Sequence, residues 1–141
     1  MKILAISASP RKGGNSDVLC DEFLKGAAES GHEVWKIRLA EKRIAPCLAC
    51  YGCAETHVCV RNDDMAEVLE ALKAADVIVL ASPVYFYSVC AQMKTMIDRF
   101  CAFNSSIQRK HMKSALLAVA WNSDDWTFEA LESHYHTLVR R

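Results

Sequence analysis

Residues 2–16 read Lys-Ile-Leu-Ala-Ile-Ser-Ala-Ser-Pro-Arg-Lys-Gly-Gly-Asn-Ser, and this stretch limits the fold more than any other. Ile3 to Ile6 is an uninterrupted apolar run, the pattern of a strand covered on both faces. A loop of Ser, Gly and basic residues follows, and a helical pattern begins near Asp17 with Ser16 or Asn15 placed as its cap. Strand, polar loop and helix N-terminus in that order make an anion site. The first amides of a helix have no acceptor within it, and the helix dipole favours negative charge there. Ser7, Ser9, Asn15 and Ser16 offer short donors, Arg11 a forked charge-assisted contact, and Gly13 and Gly14 a backbone able to turn closely around a phosphate. Neither G-x-x-x-x-G-K-[ST] nor G-x-G-x-x-G occurs in the chain, which argues against a Walker ATPase and against a standard dinucleotide-binding domain.

The same alternation runs on through the chain. Val18–Ser30 is expected as a helix ended by Gly31, Glu33–Leu39 as a second strand, 40–63 as an irregular segment, and Asp64–Ala75 as a helix. Val77–Ala81 is apolar throughout and reads as a central parallel strand, followed by a loop over Ser82–Tyr87 and a helix over about Cys90–Phe103. Ser114–Ala120 gives a fourth strand, Trp121–Asp125 a loop, and Trp126–Arg140 a last helix capped by Asp124 or Asp125. Alternation of this kind predicts a doubly wound parallel sheet with helices on both faces. Such sheets bind ligands beyond the carboxyl ends of their strands. Three loops gather there: Ser7–Ser16, suited to a phosphate, and Ser82–Tyr87 and Trp121–Asp125, which carry or adjoin Tyr85, Phe86, Tyr87, Trp121 and Trp126. A phosphate at one end and aromatic walls at the other describe a mononucleotide with a flat ring.

Lys plus Arg and Asp plus Glu are 17 each, so no basic nucleic-acid surface is expected. No apolar run suits a membrane span and no signal-peptide pattern opens the chain, so the expected location is cytoplasmic. Seven cysteines are many for 141 residues. Without a secretion signal a disulfide framework is the weaker reading. Cys47, Cys50, Cys53 and Cys59 have the spacing C-x2-C-x2-C-x5-C, which points to metal. The residues alone leave an iron–sulfur cluster, a zinc tetrathiolate and plain thiols open. His57 reads as a solvated loop residue. Cys20, Cys90 and Cys101 fall in helical patterns and read as small buried hydrophobes.

Taken together these motifs resemble a known family. Residues 7–16 resemble the FMN phosphate loop of flavodoxin-like NAD(P)H-dependent FMN reductases, and Ser82-Pro83-Val84-Tyr85 resembles that family's isoalloxazine loop. Pro46 to Cys53 with Cys59 to Met65 resembles its iron–sulfur flavoprotein branch. The resemblance implies a three-layer flavodoxin-like α/β fold, one domain over 1–141 with a cysteine-rich insert at about 44–63. The sheet order would be 2-1-3-4, with the family's fifth strand and closing helix missing after Arg141. It implies phosphate binding by Ser9, Arg11, Lys12, Asn15 and Ser16, and a flavin ring lined by Pro83, Val84, Tyr85 and Phe86, with Trp121, Asn122 and Ser123 on its other side. It also implies a [4Fe–4S] cluster on Cys47, Cys50, Cys53 and Cys59, and NAD(P)H or a redox partner protein as electron source or sink. No catalytic side chain is required, because the cofactors carry the chemistry. An open sheet edge adds the expectation of a homo-oligomer, dimer or tetramer. The competing expectation is a zinc-stabilised phosphate-binding module without redox activity.

Overall fold

A computed structural model describes residues 1–140, apart from the side chains of residues 107 and 108; Arg141, the last residue of the expected domain, lies outside them. The two apolar runs form the centre. β1 (Lys2–Ser7) is buried from Ile3 onward, and β3 (Val77–Tyr85) is buried from Val77 through Pro83. Around them lie β2 (Glu33–Arg38) and β5 (Lys113–Val119), all pairings parallel, in the order β2-β1-β3-β5. This is the expected flavodoxin-like order, with β5 as the fourth long strand. β4 (Ser88–Val89) folds back antiparallel on the end of β3.

Because side chains alternate along a strand, each central strand feeds two cores. Ile3, Ala5, Val77, Val79 and Ala81 pack with Cys20 and Leu24 of α1 (Asn15–Glu29). Leu4, Ile6, Ile78 and Leu80 pack on the other face with Val68, Leu69 and Leu72 of α3 (Met65–Ala74) and Met93 and Met96 of α4 (Ala91–Asp98). The short α2 (Cys53–Thr56), α5 (Asn104–Lys110) and α6 (Glu129–Val139) complete the helices of the described residues. None of them is long and apolar enough to cross a membrane.

Several boundaries differ from those expected, each for a local reason. β3 continues through Ser82–Tyr85, expected as loop, because its neighbour β5 keeps pairing as far as Pro83↔Val119 and β4 pairs Val84 and Tyr85. The helix expected over 90–103 ends at Asp98 and tightens into a 3-10 turn, Arg99–Ala102, where the Arg99 side chain reaches Asp63 and the Ala45 carbonyl. The chain then starts α5, a helix that the sequence pattern did not announce. α6 begins at Glu129 and lacks a side-chain cap. The Asp124 carboxylate is held instead by the Asn122 amide at 2.8 Å, and Asp124 opens a 3-10 turn over Asp125–Thr127.

The insert is closed at its base by hydrogen bonds between 43–45 and 63–64. The Arg43 amide donates to Asp64 Oδ2 at 2.7 Å, and the Ala45 amide donates to Asp63 Oδ2 at 3.0 Å. Arg99, 1% exposed, donates to both Asp63 oxygens at 2.8 and 3.1 Å and to the Ala45 carbonyl at 2.7 Å. Removing one member of a buried pair strands the other's charge, at a cost of about 3–5 kcal/mol. Asp63→Ala is therefore expected to lose about that much stability in urea denaturation, and a loss below about 1 kcal/mol would show that the clamp is not structural.

Candidate functional site

Four parallel strands put their carboxyl ends along one edge, and the loops that follow them meet there. The Ala8 amide donates to the Ala81 carbonyl at 2.8 Å, and Cys90 Sγ donates to the Ala8 carbonyl at 3.2 Å. Ser82 Oγ, buried, accepts from the Cys90 amide at 3.0 Å. The first loop is thus tied to β3 and to the start of α4.

The start of α1 lacks the side-chain cap that the sequence pattern suggests. Gly14 stands at the N-cap with extended backbone angles, no side chain caps the helix, and Asn15 and Ser16 lie inside the first turn. The Ser9 hydroxyl closes on its own loop, donating to the Arg11 carbonyl at 3.2 Å and accepting from the Arg11 amide at 3.3 Å. Gly13 takes φ +67°, in the left-handed region, and a Cβ added to Gly14 would stand 3.3 Å from Arg11 Cβ and 3.5 Å from Ser9 Oγ. Arg11, Lys12 and Asn15 are exposed, while Ser9 and Ser16 are buried. An uncapped helix end with glycines, a hydroxyl and two exposed cations around it fits a phosphate.

Asp17 shapes this loop from behind, and the sequence reading missed it. Its carboxylate accepts from Ser7 Oγ at 2.8 Å and the Gly13 amide at 3.0 Å, and is paired with Lys36 at 3.2 Å and Arg38 at 3.3 Å. Burial alone would push its carboxyl up. The Gly13 amide, the Ser7 hydroxyl and the Lys36 ammonium outweigh burial and hold it well below the usual carboxylate range. Lys36 and Arg38, two apart on β2, share a strand face; that spacing, with an Asp in the first helical turn, was the available signal.

The second wall is the β3–β4 hairpin. Its turn residues Phe86 and Tyr87 have φ of +48° and +66°, as a two-residue hairpin turn of the primed kind requires. Aromatic residues are uncommon in that region, and such backbone costs about 1–3 kcal/mol per residue. Phe86 is 97% exposed, so packing does not offset that cost. Pro83 is buried, Val84 half-buried and Tyr85 exposed. The Tyr87 and Trp126 rings stand 5.0 Å apart, tilted by 41°. Trp121 is fully exposed, and exposed Asn122 and Ser123 follow it beyond the end of β5. The structure brings all three loops to one edge, but Trp121 touches neither of the other two walls through a ring pair.

The cysteines lie elsewhere, around a cavity of about 430 Å³ lined by Cys47, Cys50, Cys53, Cys59, Arg61 and Arg99 among others. Ala49, Tyr51 and His57 all have φ above +50°, and a Cβ at Gly52 would fall 2.7 Å from Val60 Cγ1, so that side chain would have to shift. Of the segment's four thiols, Cys47 and Cys50 are exposed and Cys53 and Cys59 half-buried. His57 is exposed, as expected. Among the described residues, no group of three or more His, Cys, Asp or Glu converges on a point as ligands of one ion would. Nε of Arg61 and Nε of Arg99 are buried without a partner among the described residues, and Cys59 lies beside Arg99. Buried N–H groups rarely go unpaired. Unpartnered N–H groups on two residues that line a cavity with four thiols suit an anionic group such as a thiolate-held cluster.

Two of the three outlying cysteines are core residues: Cys20 and Cys90 are buried, and burial pushes the Cys20 thiol up to about 11. Cys101 is a correction. It is exposed and lines the cysteine cavity. Its helical spacing resembled a core position, and only the turn at Arg99 rotates it away.

The pattern of the NADPH-dependent FMN reductase family matches residues 1–138. The chain belongs to that family. Within it the chain stands with the iron–sulfur flavoproteins. It is 42% identical over 145 aligned positions to one from Methanosarcina thermophila, covering 99% of this chain and 76% of that one. It is 41% identical over 119 residues to one from Methanocaldococcus jannaschii, covering 84% of this chain and 62% of the relative, so the match spans about six-tenths of that protein's length. Among solved structures, an FMN-dependent NADH-azoreductase from Bacillus anthracis in complex with FMN superposes on 99% of this chain and 80% of its own, with a TM-score of 0.67. At 16% identity that likeness concerns the fold.

Asp17 makes the family's first loop sensitive to acid. A carboxyl held low in the folded chain contributes stability that is complete above its unfolded value, about 3.9, and is lost as pH falls through the folded one. Urea denaturation is therefore expected to show a steep loss of stability below about pH 4. Asp17→Asn should be less stable at pH 7 and show a shallower loss below pH 4. Equal acid slopes for the two proteins would contradict this.

Proposed function

We propose that this chain is an FMN-dependent oxidoreductase that moves electrons from NAD(P)H, or to and from a redox partner protein, with a [4Fe–4S] cluster as relay. The observation that carries the reading is the uncapped start of α1 at the same sheet edge as the strained aromatic hairpin, a helix end suited to an anion beside a turn suited to a flat ring. Family membership and the FMN-dependent azoreductase with this fold support FMN as the occupant. When bound, FMN supplies hydride and single-electron chemistry.

The chain's own residues bind and orient. Ser9, Asn15, Ser16 and the first amides of α1 hold the phosphate, with Arg11 and Lys12 folding over it. Pro83, Val84, Tyr85 and Phe86 would line the flavin ring, with Trp121, Asn122 and Ser123 on its other side. Cys47, Cys50, Cys53 and Cys59 each offer one thiolate to one iron of the cluster. Four thiols spread around a cavity match that demand better than a single zinc, whose four sulfurs must all lie about 2.3 Å from one centre. Arg61, on the cavity wall, would offset the cluster's negative charge, and the Nε–H of Arg99, whose charge is paired with Asp63, would offer it a donor. The chain is read as one domain over 1–141 with its insert at about 44–63. A homo-oligomer remains part of this reading, because β5 is only half-buried and, among the described residues, pairs with β3 alone.

Purified anaerobically, the protein is expected to be yellow-brown, with flavin bands, a broad shoulder near the cluster region and matching iron and sulfide. A colourless, zinc-containing protein that takes up no FMN would contradict the proposal. A hydrogen bond to a charged group is worth about 1.5–3 kcal/mol. Arg11→Ala should therefore weaken FMN binding by roughly 10- to 100-fold in a flavin fluorescence titration, and unchanged affinity would remove Arg11 from the phosphate site.

A further inference from the structure

We propose that Cys101 is a fifth ligand of the cysteine site, a reserve thiol able to take the place of Cys53 or Cys47 on the cluster. The inference rests on the cluster reading above and deepens it. Cys101 lies outside the insert, in the 3-10 turn Arg99–Ala102, yet lines the same cavity as Cys47, Cys50, Cys53 and Cys59. Of the four, Cys53 and Cys47 are the thiols that neighbour it. Cys59 lies instead beside Arg99.

This closeness is built into the fold. α2 opens at Cys53 and packs against the turn that carries Cys101. That turn is held in turn by Arg99, whose guanidinium grips Asp63 and the Ala45 carbonyl at the base of the insert. One side chain thus ties the base of the insert to the turn that carries the fifth sulfur. The other outlying cysteines do not share this placement: Cys20 lies in the α1 core, and Cys90 donates to the Ala8 carbonyl.

An iron of the cluster asks for one thiolate, and it does not distinguish which residue provides it. A fifth thiolate beside two ligands gives the cluster a choice at those two corners and none at the corners held by Cys50 and Cys59. The exchange breaks one iron–thiolate bond and forms another. The incoming thiol gives up its proton and the departing thiolate takes one, with no net oxidation.

The test uses the chain of residues 1–141, reconstituted anaerobically with ferrous iron and sulfide. Iron and sulfide per chain and the EPR spectrum of the reduced protein are measured, with circular dichroism and FMN retention as checks of folding. Wild type should carry a full cluster. Cys53→Ala and Cys47→Ala should keep most of their iron with a shifted EPR signal, while Cys50→Ala and Cys59→Ala should lose it. Adding Cys101→Ala to Cys53→Ala should cut the iron to less than about half that of the single variant. Equal iron in the Cys53 variant with and without Cys101, whether both full or both empty, overturns the proposal, and the Cys47 pair decides it if the Cys53 variants fail to fold. A folded wild type that takes up no iron overturns the cluster reading itself, and this proposal with it.

Discussion

Asp17 sits in the first turn of α1, and its buried carboxylate receives Ser7 from the end of β1, Gly13 from the loop, and Lys36 and Arg38 from β2. Three elements are therefore registered by one group. Its two cations neutralise it, so a phosphate can approach the start of the helix without facing an uncompensated negative charge. The loop owes its shape to this contact from within and remains open from without. That is why the N-cap can be a glycine and the first amides can point outward without a side chain to satisfy them.

The sheet order does the rest. With β1 and β3 adjacent and parallel, the loop after β1 and the hairpin after β3 emerge at one edge, and Cys90 ties one to the other through Ala8. The hairpin holds two aromatic residues in a backbone region they disfavour. Burial does not offset that strain, because Phe86 is exposed. Strain that persists at an exposed turn at a sheet's carboxyl edge is what the proposed ring site would use.

The central strands were legible because burial on both faces leaves no room for polar residues, so Ile3–Ile6 and Val77–Ala81 announce themselves. The turn between β1 and α1 was legible because glycines and hydroxyls follow an apolar run and precede a helical pattern. The end of β3 was not: Ser82-Pro83 reads as a loop opening, and only the pairing with β5 keeps it extended. Nor were the caps, since Asn15, Ser16 and Asp124 have the right chemistry but find other partners or lie a residue too far in. Asp17 and Arg99 escaped notice because their roles depend on partners distant in the chain, Lys36 and Arg38 for one and Asp63 for the other. Cys101 read as core because a 3-10 turn, which has no sequence signature here, changed its direction.

The central claim is that α1 receives a phosphate while the hairpin receives a ring, and comparing FMN with riboflavin separates the two halves of that claim. The two ligands share the ring and differ by the phosphate. Titrated against the flavin-free protein, FMN is expected to bind at least about 100-fold more tightly, as two or more charge-assisted hydrogen bonds would give. Equal affinity for riboflavin and FMN would mean that the helix end does not hold the phosphate, and would contradict the account.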